Sequence, residues 1–405
     1  MSDTAPEADP LPLAGVRVVE CTHMVMGPTC GMVLADLGAE VIKVEPTGGD
    51  RTRQLLGSGA GFFGLFNRNK RSLAIDVHDA RGREVVLRLL AQADVFSENF
   101  KPGAMERLGF GRAALARLNP RLVCVSHKGF LPGPYEGRTA LDEVVQMMGG
   151  LAYMTGRPGD PLRAGSSVND IMGGLFGAIG VLAALRRRDA TGRGGEVQSA
   201  LFENNVLLVA QHMLQAAVTG QAPAPMPARI SAWALYDVFT VAGGGQVFLA
   251  AVSDAQWAAV CDEFAWPDLA ADRRLRSNNA RVLARDWLLP LLRQRFAAFT
   301  VDELARRFDA RGLPYAPITR PEALFDDPHL QATGGLAATT LPADASTAGR
   351  PVATQVPLLP LMLDGQRLPL RQDPPSVGQD NDALLRELGY PDAEVAALRA
   401  AGILR

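Results

Sequence analysis

Residues 16–44, VRVVECTHMVMGPTCGMVLADLGAEVIKV, carry the pattern that decides the fold. The runs VRVVE (16–20) and VIKV (41–44) are apolar and rich in valine and isoleucine, which indicates buried strands. Between them, residues 29–37 predict a helix that ends at Gly38. A strand–helix–strand unit of this length implies a parallel sheet with a right-handed crossover. No GxGxxG motif follows the first strand, which argues against nicotinamide or flavin binding of the dinucleotide type.

The alternation of strands and helices continues beyond this unit. Strands are predicted at residues 75–77, 93–96 and 122–126, and helices at 80–91 and 105–108. Ligands of open parallel sheets bind at the carboxyl ends of the strands. The expected rim of the site therefore consists of the polar loops that follow the strands, at residues 22–28, 45–53, 98–103 and 126–129.

Residues 163–185, RAGSSVNDIMGGLFGAIGVLAAL, form a polar run that ends in Asp170 and continues as a glycine-rich apolar helix. Gly173, Gly177 and Gly180 share one face, and each glycine costs about 1 kcal/mol in a helix interior. Such a bare face admits a closely packed neighbour or a ligand. Asp170 is an N-cap residue type, which the residues alone favour, but a carboxylate can also attack a bound acyl group. In either role, the helix dipole is expected to hold it ionised.

The composition suits a globular protein of two or three domains. Of 405 residues, 47% are apolar and 21% charged, and the net charge of −2 argues against nucleic acid or an anionic membrane as the main partner. The four cysteines lack CxxC spacing and the five histidines are scattered, which favours buried free thiols and indicates no metal site. The acidic N-terminus (1–15) lacks the layout of a signal peptide, and the apolar run 171–185 is short for a bilayer span, so we expect a cytoplasmic protein.

A proline-rich segment, QAPAPMPAR (221–229), marks the clearest domain boundary. We predict a large α/β domain over residues 1–220, a small α+β domain over 230–325 and a C-terminal return to the large domain over 335–405. The flanks of the glycines 243–245 alternate like paired strands, which favours a hairpin turn over a glycine-rich flap.

Charged residues cluster in a few segments of the predicted rim. In FNRNKRS (66–72), three cations form either a solvated surface or a phosphate clamp, since arginine matches phosphate oxygens. Lys101 and Arg107 flank a loop-to-helix junction whose free N–H groups favour an anion. Separate cationic loops in a nearly neutral protein fit a ligand with several phosphates. Asp142 and Glu143 open a predicted helix and are interpreted as acids that its dipole favours.

Taken in their order along the chain, these sequence motifs resemble those of the family III CoA-transferases (the CaiB/BaiF family, which includes formyl-CoA transferase). The resemblance implies an α/β fold with a Rossmann-like parallel-sheet large domain and a smaller α+β domain. It also implies an interlocked homodimer, in which each ring-shaped chain is threaded by its partner. The longest matching motifs are LAGVRVVECTHMVMGP (13–28), LADLGAEVIKVEP (34–46), NRNKRSLAIDV (67–77), DVFSENFKPGAMERLG (94–109) and PSVGQDNDALLRELG (375–389).

The resemblance implies an acyl-CoA:carboxylate CoA-transferase whose nucleophile is Asp170. The carboxylate would form an anhydride with the acyl group and then a thioester with CoA, which is a substrate; no permanently bound cofactor and no metal are implied. Some relatives carry an arginine where this chain has Pro46, so Arg51 or Arg71 would supply that charge. The matched CoA contacts are Val25 and Met26 in the first loop, Ile75, Asp76, Val77 and His78 near the adenosine, Asn99, Phe100, Lys101 and Arg107 near the pantetheine and phosphates, and Thr139.

Two other functions stay open at this point. α-Methylacyl-CoA racemase shares the fold and pairs the equivalent aspartate with a histidine. Leu141 holds the position of that histidine here, so His127 would have to replace it. The second alternative is a CoA-binding subunit of a heteromeric transferase, which the presence of Asp170 argues against.

The substrate is predicted only as a class. The loop 128–156 resembles members that act on short branched dicarboxylates, of the mesaconyl-CoA C1–C4 CoA transferase type. Succinyl-CoA:dicarboxylate transfer is the close competitor. A dicarboxylate needs a cation for its distal carboxylate, and Arg138, Arg157 and Arg163 are the candidates.

Overall fold

The computed structural model describes residues 10–229 and 231–405. Residues 1–9, which begin the acidic N-terminus, and Ile230, the first residue of the predicted small domain, lie outside the described residues. The chain divides into two compact units. The larger unit contains the described residues up to Pro227 together with Pro328–Arg405, and the smaller unit is Ala228–Asp327.

Six parallel strands form the main sheet of the larger unit. The strand order is β3-β2-β1-β4-β5-β6, so the order reverses between β1 and β4, where open α/β sheets bind their ligands. The predicted α/β class with a Rossmann-like parallel sheet is confirmed. The strands are β1 (Arg17–Cys21), β2 (Glu40–Glu45), β3 (Lys70–Ala74), β4 (Val95–Glu98), β5 (Val123–Lys128) and β6 (Gly195–Ala200).

The predicted strand at residues 75–77 is wrong. Strand β3 ends at Ala74, and Ile75 forms only an isolated bridge with Leu404. The buried Lys70 ammonium in β3 lies 2.7 Å from a carboxylate oxygen of Glu20 in β1. Lys70, which lies in the cationic run 66–72, therefore belongs to the interior of the sheet, because its charge is paired there.

Helices connect and cover these strands. The helix α1 begins at Met26 rather than at residue 29, because Pro28 falls in the first turn, where a missing N–H costs no hydrogen bond. The helices before residue 229 are α1 (Met26–Asp36), α2 (Phe62–Phe66), α3 (Ala80–Ala91), α4 (Ala104–Arg107), α5 (Arg112–Leu118), α6 (Asp142–Met148), α7 (Leu151–Thr155), α8 (Val168–Thr191) and α9 (Leu201–Thr219).

Helix α8 packs on α1 and on the sheet through its glycine face. A Cβ added to Gly173 would lie 2.4 Å from Met26 Cε, and one added to Gly177 would lie 2.6 Å from His127 Cε1. The glycines therefore admit closely packed neighbours, one of the two roles expected of them. With 24 residues, α8 is longer than the predicted apolar run and could cross a membrane by length and composition alone, but this glycine packing is that of a core helix.

The smaller unit has an antiparallel sheet and five α-helices among its described residues. The predicted hairpin is confirmed, since Leu235 pairs with Ala251 and Thr240 with Gln246. The sheet order is β7 (Leu235–Thr240), β8 (Gln246–Ala251) and β9 (Tyr315–Pro317), and the helices are α10 (Asp254–Glu263), α11 (Pro267–Ala270), α12 (Asn278–Leu283), α13 (Arg285–Phe296) and α14 (Val301–Ala310).

The C-terminal segment returns to the edge of the main sheet. Asp380 Oδ2 accepts a hydrogen bond from the Ser72 N–H at 2.8 Å, and Asn381 Oδ1 accepts one from the Ala74 N–H at 2.9 Å. These bonds satisfy backbone donors of the edge strand β3, which would otherwise be free to pair with another chain. The remaining elements are α15 (Pro328–Ala332), β10 (Leu336–Leu341), β11 (Val352–Pro357), β12 (Met362–Leu363), β13 (Gln366–Arg367), α16 (Asn381–Glu387) and α17 (Asp392–Ala400).

Candidate active site

A cavity of about 530 Å³ lies at the carboxyl ends of β1 to β4. Its volume is in the range of small-molecule sites. Most of its wall is apolar and comes from Cys21, Val44, Met105, Leu108 and Phe110 as well as from predicted contacts. It brings together six of the residues matched to CoA contacts, namely Ile75, Asp76, Val77, His78, Phe100 and Arg107.

Two arginines that line this cavity are available for an anion. Arg107 ends α4, and Arg83 lies in the first turn of α3. Among the described residues, neither has a carboxylate within ion-pair distance. Arg83 was not predicted from the sequence. A cation in the first turn of a helix, where the dipole disfavours it, is the signal that could have drawn attention to it.

The loop between β3 and α3 is held in place by its own backbone and by the end of the chain. The His78 N–H donates to Asp76 Oδ1 at 2.9 Å. The Asp76 N–H donates to the carbonyl oxygen of Ile403 at 2.8 Å. The cavity wall at Ile75–His78 is therefore formed before a ligand arrives.

The cationic run at residues 66–72 is neither a phosphate clamp nor a solvated surface. Arg68 is buried and lies 2.7 Å from Asp36, and Lys70 is paired in the sheet. Arg71 lies 2.5 Å from Glu40 and also pairs with a glutamate of α16. Arg71 is consequently a wrong choice for the missing phosphate cation, because its guanidinium is already neutralised.

The first loop, residues 22–26, is tied to neighbouring loops. Asn99 accepts from the His23 N–H at 3.1 Å and donates its amide to the His23 carbonyl at 2.8 Å, so its side chain holds backbone. The His23 and Phe100 rings lie 5.2 Å apart. Met24 has a φ of 64°, a left-handed conformation that costs energy in a non-glycine residue, and its N–H donates to Thr52 Oγ1 at 3.0 Å.

The other matched residues do not line this cavity. Val25 is buried, and Met26 packs against Gly173 of α8. Lys101 is exposed beside a smaller cleft of about 190 Å³. Thr139 is exposed in the loop before α6.

The residues alone favour Asp170 as the N-cap of α8. This prediction is wrong, because Asp170 is the third residue of the helix. The N-cap is Ser167, whose side chain makes no capping hydrogen bond. Asp142, the first residue of α6, accepts instead at Oδ2 from the N–H groups of Asn169 at 2.7 Å and Asp170 at 3.0 Å. In the part of the chain that the structure describes, no donor reaches the Asp170 carboxylate.

The charge environment of Asp170 is unusual for a helix N-terminus. Burial raises the pKa of Asp170 to about 7, and the charges of Asp142 and Glu143 act in the same direction. The expectation that the helix dipole holds Asp170 ionised is wrong, because the Asp142 carboxylate already occupies the positive end of the helix. A carboxyl group that titrates near neutrality in this way is typical of a residue used in chemistry.

His127 is buried in β5 and unsuited to proton abstraction. Its Nε2 lies 3.1 Å from Ser97 Oγ, and its ring lies against Gly177, about two helical turns or roughly 10 Å from Asp170. Burial lowers the pKa of His127 to about 3, with Lys128 acting in the same direction. Among residues 10–229 and 231–405, no three His, Cys, Asp or Glu side chains converge as metal ligands would. The prediction of buried free thiols is confirmed for all four cysteines.

Known proteins share both the sequence and the fold. Residues 13–381 match the model of CoA-transferase family III. The chain is 34% identical to an acetyl-CoA:oxalate CoA-transferase of Acetobacter aceti over 78% of this chain and 83% of that protein. It is 34% identical to a succinyl-CoA:mesaconate CoA-transferase of Haloarcula hispanica, also over 78% of this chain and 83% of that protein. The crystal structure of a CaiB/BaiF family protein from Brucella suis has a TM-score of 0.83 at 32% identity, and the match covers 94% of this chain and 100% of that chain.

The family match spans nearly the whole chain, including the smaller unit. The two relatives exceed 30% identity over more than two thirds of both lengths. These matches confirm the resemblance that the sequence motifs indicated. The chain is a CoA-transferase and belongs to CoA-transferase family III.

Proposed function

We propose that the enzyme moves CoA between an acyl-CoA thioester and a short dicarboxylate, mesaconate or succinate, through covalent intermediates on Asp170. The observation that carries the proposal is the Asp170 carboxylate, which is half-buried at the start of α8, without a hydrogen-bond donor in the described chain and beside two further acids. A carboxylate without such solvation or hydrogen bonds is a stronger nucleophile than one in water.

In the proposed cycle, an Asp170 oxygen attacks the thioester carbonyl carbon of the donor. The C–S bond breaks, CoA leaves as a thiolate, and an acyl-aspartyl anhydride forms. The thiolate then attacks the aspartyl carbonyl carbon, which releases the donor carboxylate and leaves CoA as a thioester on Asp170. The acceptor carboxylate displaces this thiolate, and the thiolate attacks the new anhydride at the acceptor carbonyl, which restores Asp170. No proton is gained or lost in net, so the cycle needs no acid–base pair.

The adenosine end of CoA is assigned to the cavity at the ends of β1 to β4. Its apolar wall suits the adenine ring, and Arg83 and Arg107, which have no ion pair within the described part of the chain, suit the phosphates. The pantetheine is assigned to the first loop, which connects this cavity with α8: the His23 ring lies next to Phe100 of the cavity wall, and Met26 touches Gly173, one turn after Asp170.

A dicarboxylate acceptor is supported by one relative and by the arginines before α8. The relative from Haloarcula hispanica is named for succinyl-CoA and mesaconate. Arg163 pairs with Glu143, and Arg138 lies 5.1 Å over the Tyr135 ring. Arg157 has no ion pair within the described residues, so it is the preferred partner for the distal carboxylate. The relative from Acetobacter aceti makes oxalate the competing acceptor.

A homodimer is proposed because α8 and α9 leave a broad apolar face uncovered. Large exposed apolar patches on globular proteins often mark surfaces that bind another protein. The interlocked arrangement of the two chains is proposed from the family resemblance alone. A cytoplasmic location is proposed because the four cysteines are buried free thiols, which fit a reducing compartment. The exposed apolar side chains are Leu175, Phe176, Ile179 and Leu182 of α8, and Leu207, Met213, Leu214 and Val218 of α9.

The two alternatives are less well supported. A racemase needs a base that can reach the substrate, whereas His127 is 3% exposed and engaged with Ser97. A purely CoA-binding subunit would have no use for a desolvated carboxylate on α8, since such a group destabilises the fold at neutral pH.

An acceptor screen tests the proposed function. Succinyl-CoA is offered with mesaconate, citramalate, itaconate or oxalate, and mesaconyl-CoA is incubated alone, with the CoA esters separated by chromatography. We expect transfer to mesaconate, and isomerisation without an added acid would identify intramolecular transfer. The proposal fails if no dicarboxylate accepts CoA, if Asp170→Asn is as active as the wild type, or if the enzyme only exchanges an α-proton of its acyl-CoA with D₂O.

A further inference from the structure

We propose that Asp142 is a positioning residue for Asp170, a role that rests on the proposed function. Its carboxylate comes from α6, binds the first free N–H groups of α8 and thereby sets both the orientation of Asp170 and the charge around it. The pair Asp142 and Glu143 otherwise looks like two acids that merely suit the start of their own helix.

The contacts of Asp142 replace an ordinary helix cap. The first N–H groups of a helix have no partner within the helix. Asp142 Oδ2 takes those of Asn169 and Asp170, and Oδ1 accepts from the Gln146 amide. Gln146 Oε1 in turn accepts from the Ala164 N–H at 2.8 Å, so α6 holds both the start of α8 and the loop before it.

This arrangement is rigid as well as specific. Asp142 is 4% exposed, and Gln146 and Asn169 are fully buried. Asn169 also donates its amide to Asn205 of α9 at 3.1 Å. The backbone N–H of Asp170 is itself one of the bonded groups, so Asp142 fixes the backbone from which the Asp170 side chain extends.

The same contacts remove the positive end of α8 from Asp170. An ionised side chain in the first turn usually gains from the helix dipole, but here a second anion occupies that place. The charges that act on Asp170 come from Asp142 and Glu143 of α6, and Glu143 is paired with Arg163 in the loop before α8. Met26 of α1 and Asn205 of α9, which contact Gly173 and Asn169 in the first turns of α8, are neutral.

A like charge beside Asp170 favours its covalent forms. The free carboxylate is negative, whereas the aspartyl anhydride and the aspartyl-CoA thioester are neutral at that position. Repulsion from Asp142 therefore raises the free energy of the free carboxylate and leaves the intermediates unaffected to first order. The equilibrium shifts toward the CoA-bound enzyme, by the same physical cause that shifts the titration of the group.

Asp142→Asn tests this inference, with Glu143→Gln as the matched control that removes a charge one residue away and breaks no bond to α8. The readouts are the pH profile of kcat and the fraction of enzyme that carries the CoA thioester at equilibrium, measured on the intact protein by mass. We expect the acid limb of Asp142→Asn to move down by about one pH unit and the thioester fraction to fall by about tenfold, with a shift below about half a unit in Glu143→Gln.

Each outcome decides between the inference and the proposed function. If Asp170→Asn is active, the proposed function fails. If Asp170→Asn is inactive and a folded Asp142→Asn keeps the wild-type profile and thioester fraction, only the role of Asp142 fails. Should Asp142→Asn not fold, Asp142→Glu replaces it, because it keeps the charge and displaces the carboxylate from the N–H groups of α8. A changed thioester fraction in a folded Asp142→Glu supports the inference, and a wild-type kcat and thioester fraction contradict it.

Discussion

Two groups of acids in the larger unit differ in how their charge is balanced. Near the ends of β1 and β2, each acid faces a cation: Glu20 lies 2.7 Å from Lys70, and Asp50 lies 2.9 Å from Lys43. At the start of α8, Asp170 faces other acids and has no ion-pair partner among the described residues. The two groups belong to one unit, so the difference is local.

The pKa values of two carboxyl groups express this difference. Burial would raise the pKa of Asp50, but the Lys43 ammonium and a hydrogen bond from the Thr52 N–H hold it at about 2. At Asp170 burial and the neighbouring acids act together, and the pKa is about 7. Two carboxyl groups driven apart in this way indicate different roles. The paired acids hold the loops around the cavity in place, and the proposed nucleophile is the acid whose charge is not balanced in this way.

The largest effect is expected when the unpaired acid is neutralised. Asp170→Asn should lower transferase turnover by about 10⁴-fold or more, because the amide cannot form the anhydride. Turnover is measured with saturating acyl-CoA and acceptor, and the melting temperature shows that the variant is folded. Residual activity within tenfold of the wild type would contradict the role of Asp170.

The next effect comes from breaking a buried pair. Lys70→Met leaves the Glu20 carboxylate alone inside the sheet and should reduce the free energy of unfolding by about 3–5 kcal/mol. The matched control is Glu84→Gln, which breaks an exposed pair with Arg88 and should cost about 1 kcal/mol or less. Denaturant unfolding compares the two variants. Equal losses would mean that the buried pairs do not stabilise the sheet as argued.

Substitution of an arginine without an ion pair should change the KM for acyl-CoA, whereas substitution of a paired arginine should not. Arg83→Ala and Arg107→Ala are each expected to raise the KM for acyl-CoA by about tenfold with a smaller change in kcat, because each removes a phosphate contact. Arg71→Gln should leave that KM unchanged, since the Arg71 guanidinium is held by Glu40. Steady-state kinetics at fixed ionic strength measure all three. A rise in KM for Arg71→Gln alone would reverse the assignment.

The smallest effect is on stability and depends on pH. Between the usual carboxyl pKa and about 7, folded Asp170 retains a proton that the unfolded chain has lost, so its contribution to stability falls as the pH rises. Asp170→Asn removes this term and should raise the melting temperature by about 1–3 °C more at pH 8 than at pH 5. An increment equal at both pH values would show that Asp170 titrates normally.

The parts of the fold that could be predicted are those that local pattern encodes. Strands β1 and β2 could be predicted because they are short, mostly apolar runs that are buried along their length. Helix α3 (Ala80–Ala91) could be predicted because its apolar residues recur with the helical period. The hairpin of β7 and β8 could be predicted because glycines separate two runs in which apolar and polar residues alternate. Strand β3 was misplaced, because the partner that neutralises Lys70 is 50 positions away in the sequence.

The candidate site could be predicted less fully for the same reason. Matching motifs pointed to the residues of the cavity wall, but the pairing of Arg71 and the freedom of Arg83 depend on which side chains meet in three dimensions. The capping of α8 by Asp142 joins residues 28 positions apart, so the sequence around Asp170 could not predict it. The family resemblance pointed to Asp170, and only the fold shows the acids and the burial that surround its carboxylate.

A chemical trap on Asp170 is the most direct test of the account. The wild type and Asp170→Asn are incubated with acyl-CoA, treated with borohydride, digested and analysed by mass spectrometry. Borohydride reduces an aspartyl thioester to an alcohol, so homoserine is expected at position 170 in the wild type and no modification is expected in Asp170→Asn. An unmodified Asp170 peptide in an enzyme that turns over, or a modified carboxylate elsewhere in the chain, would contradict it.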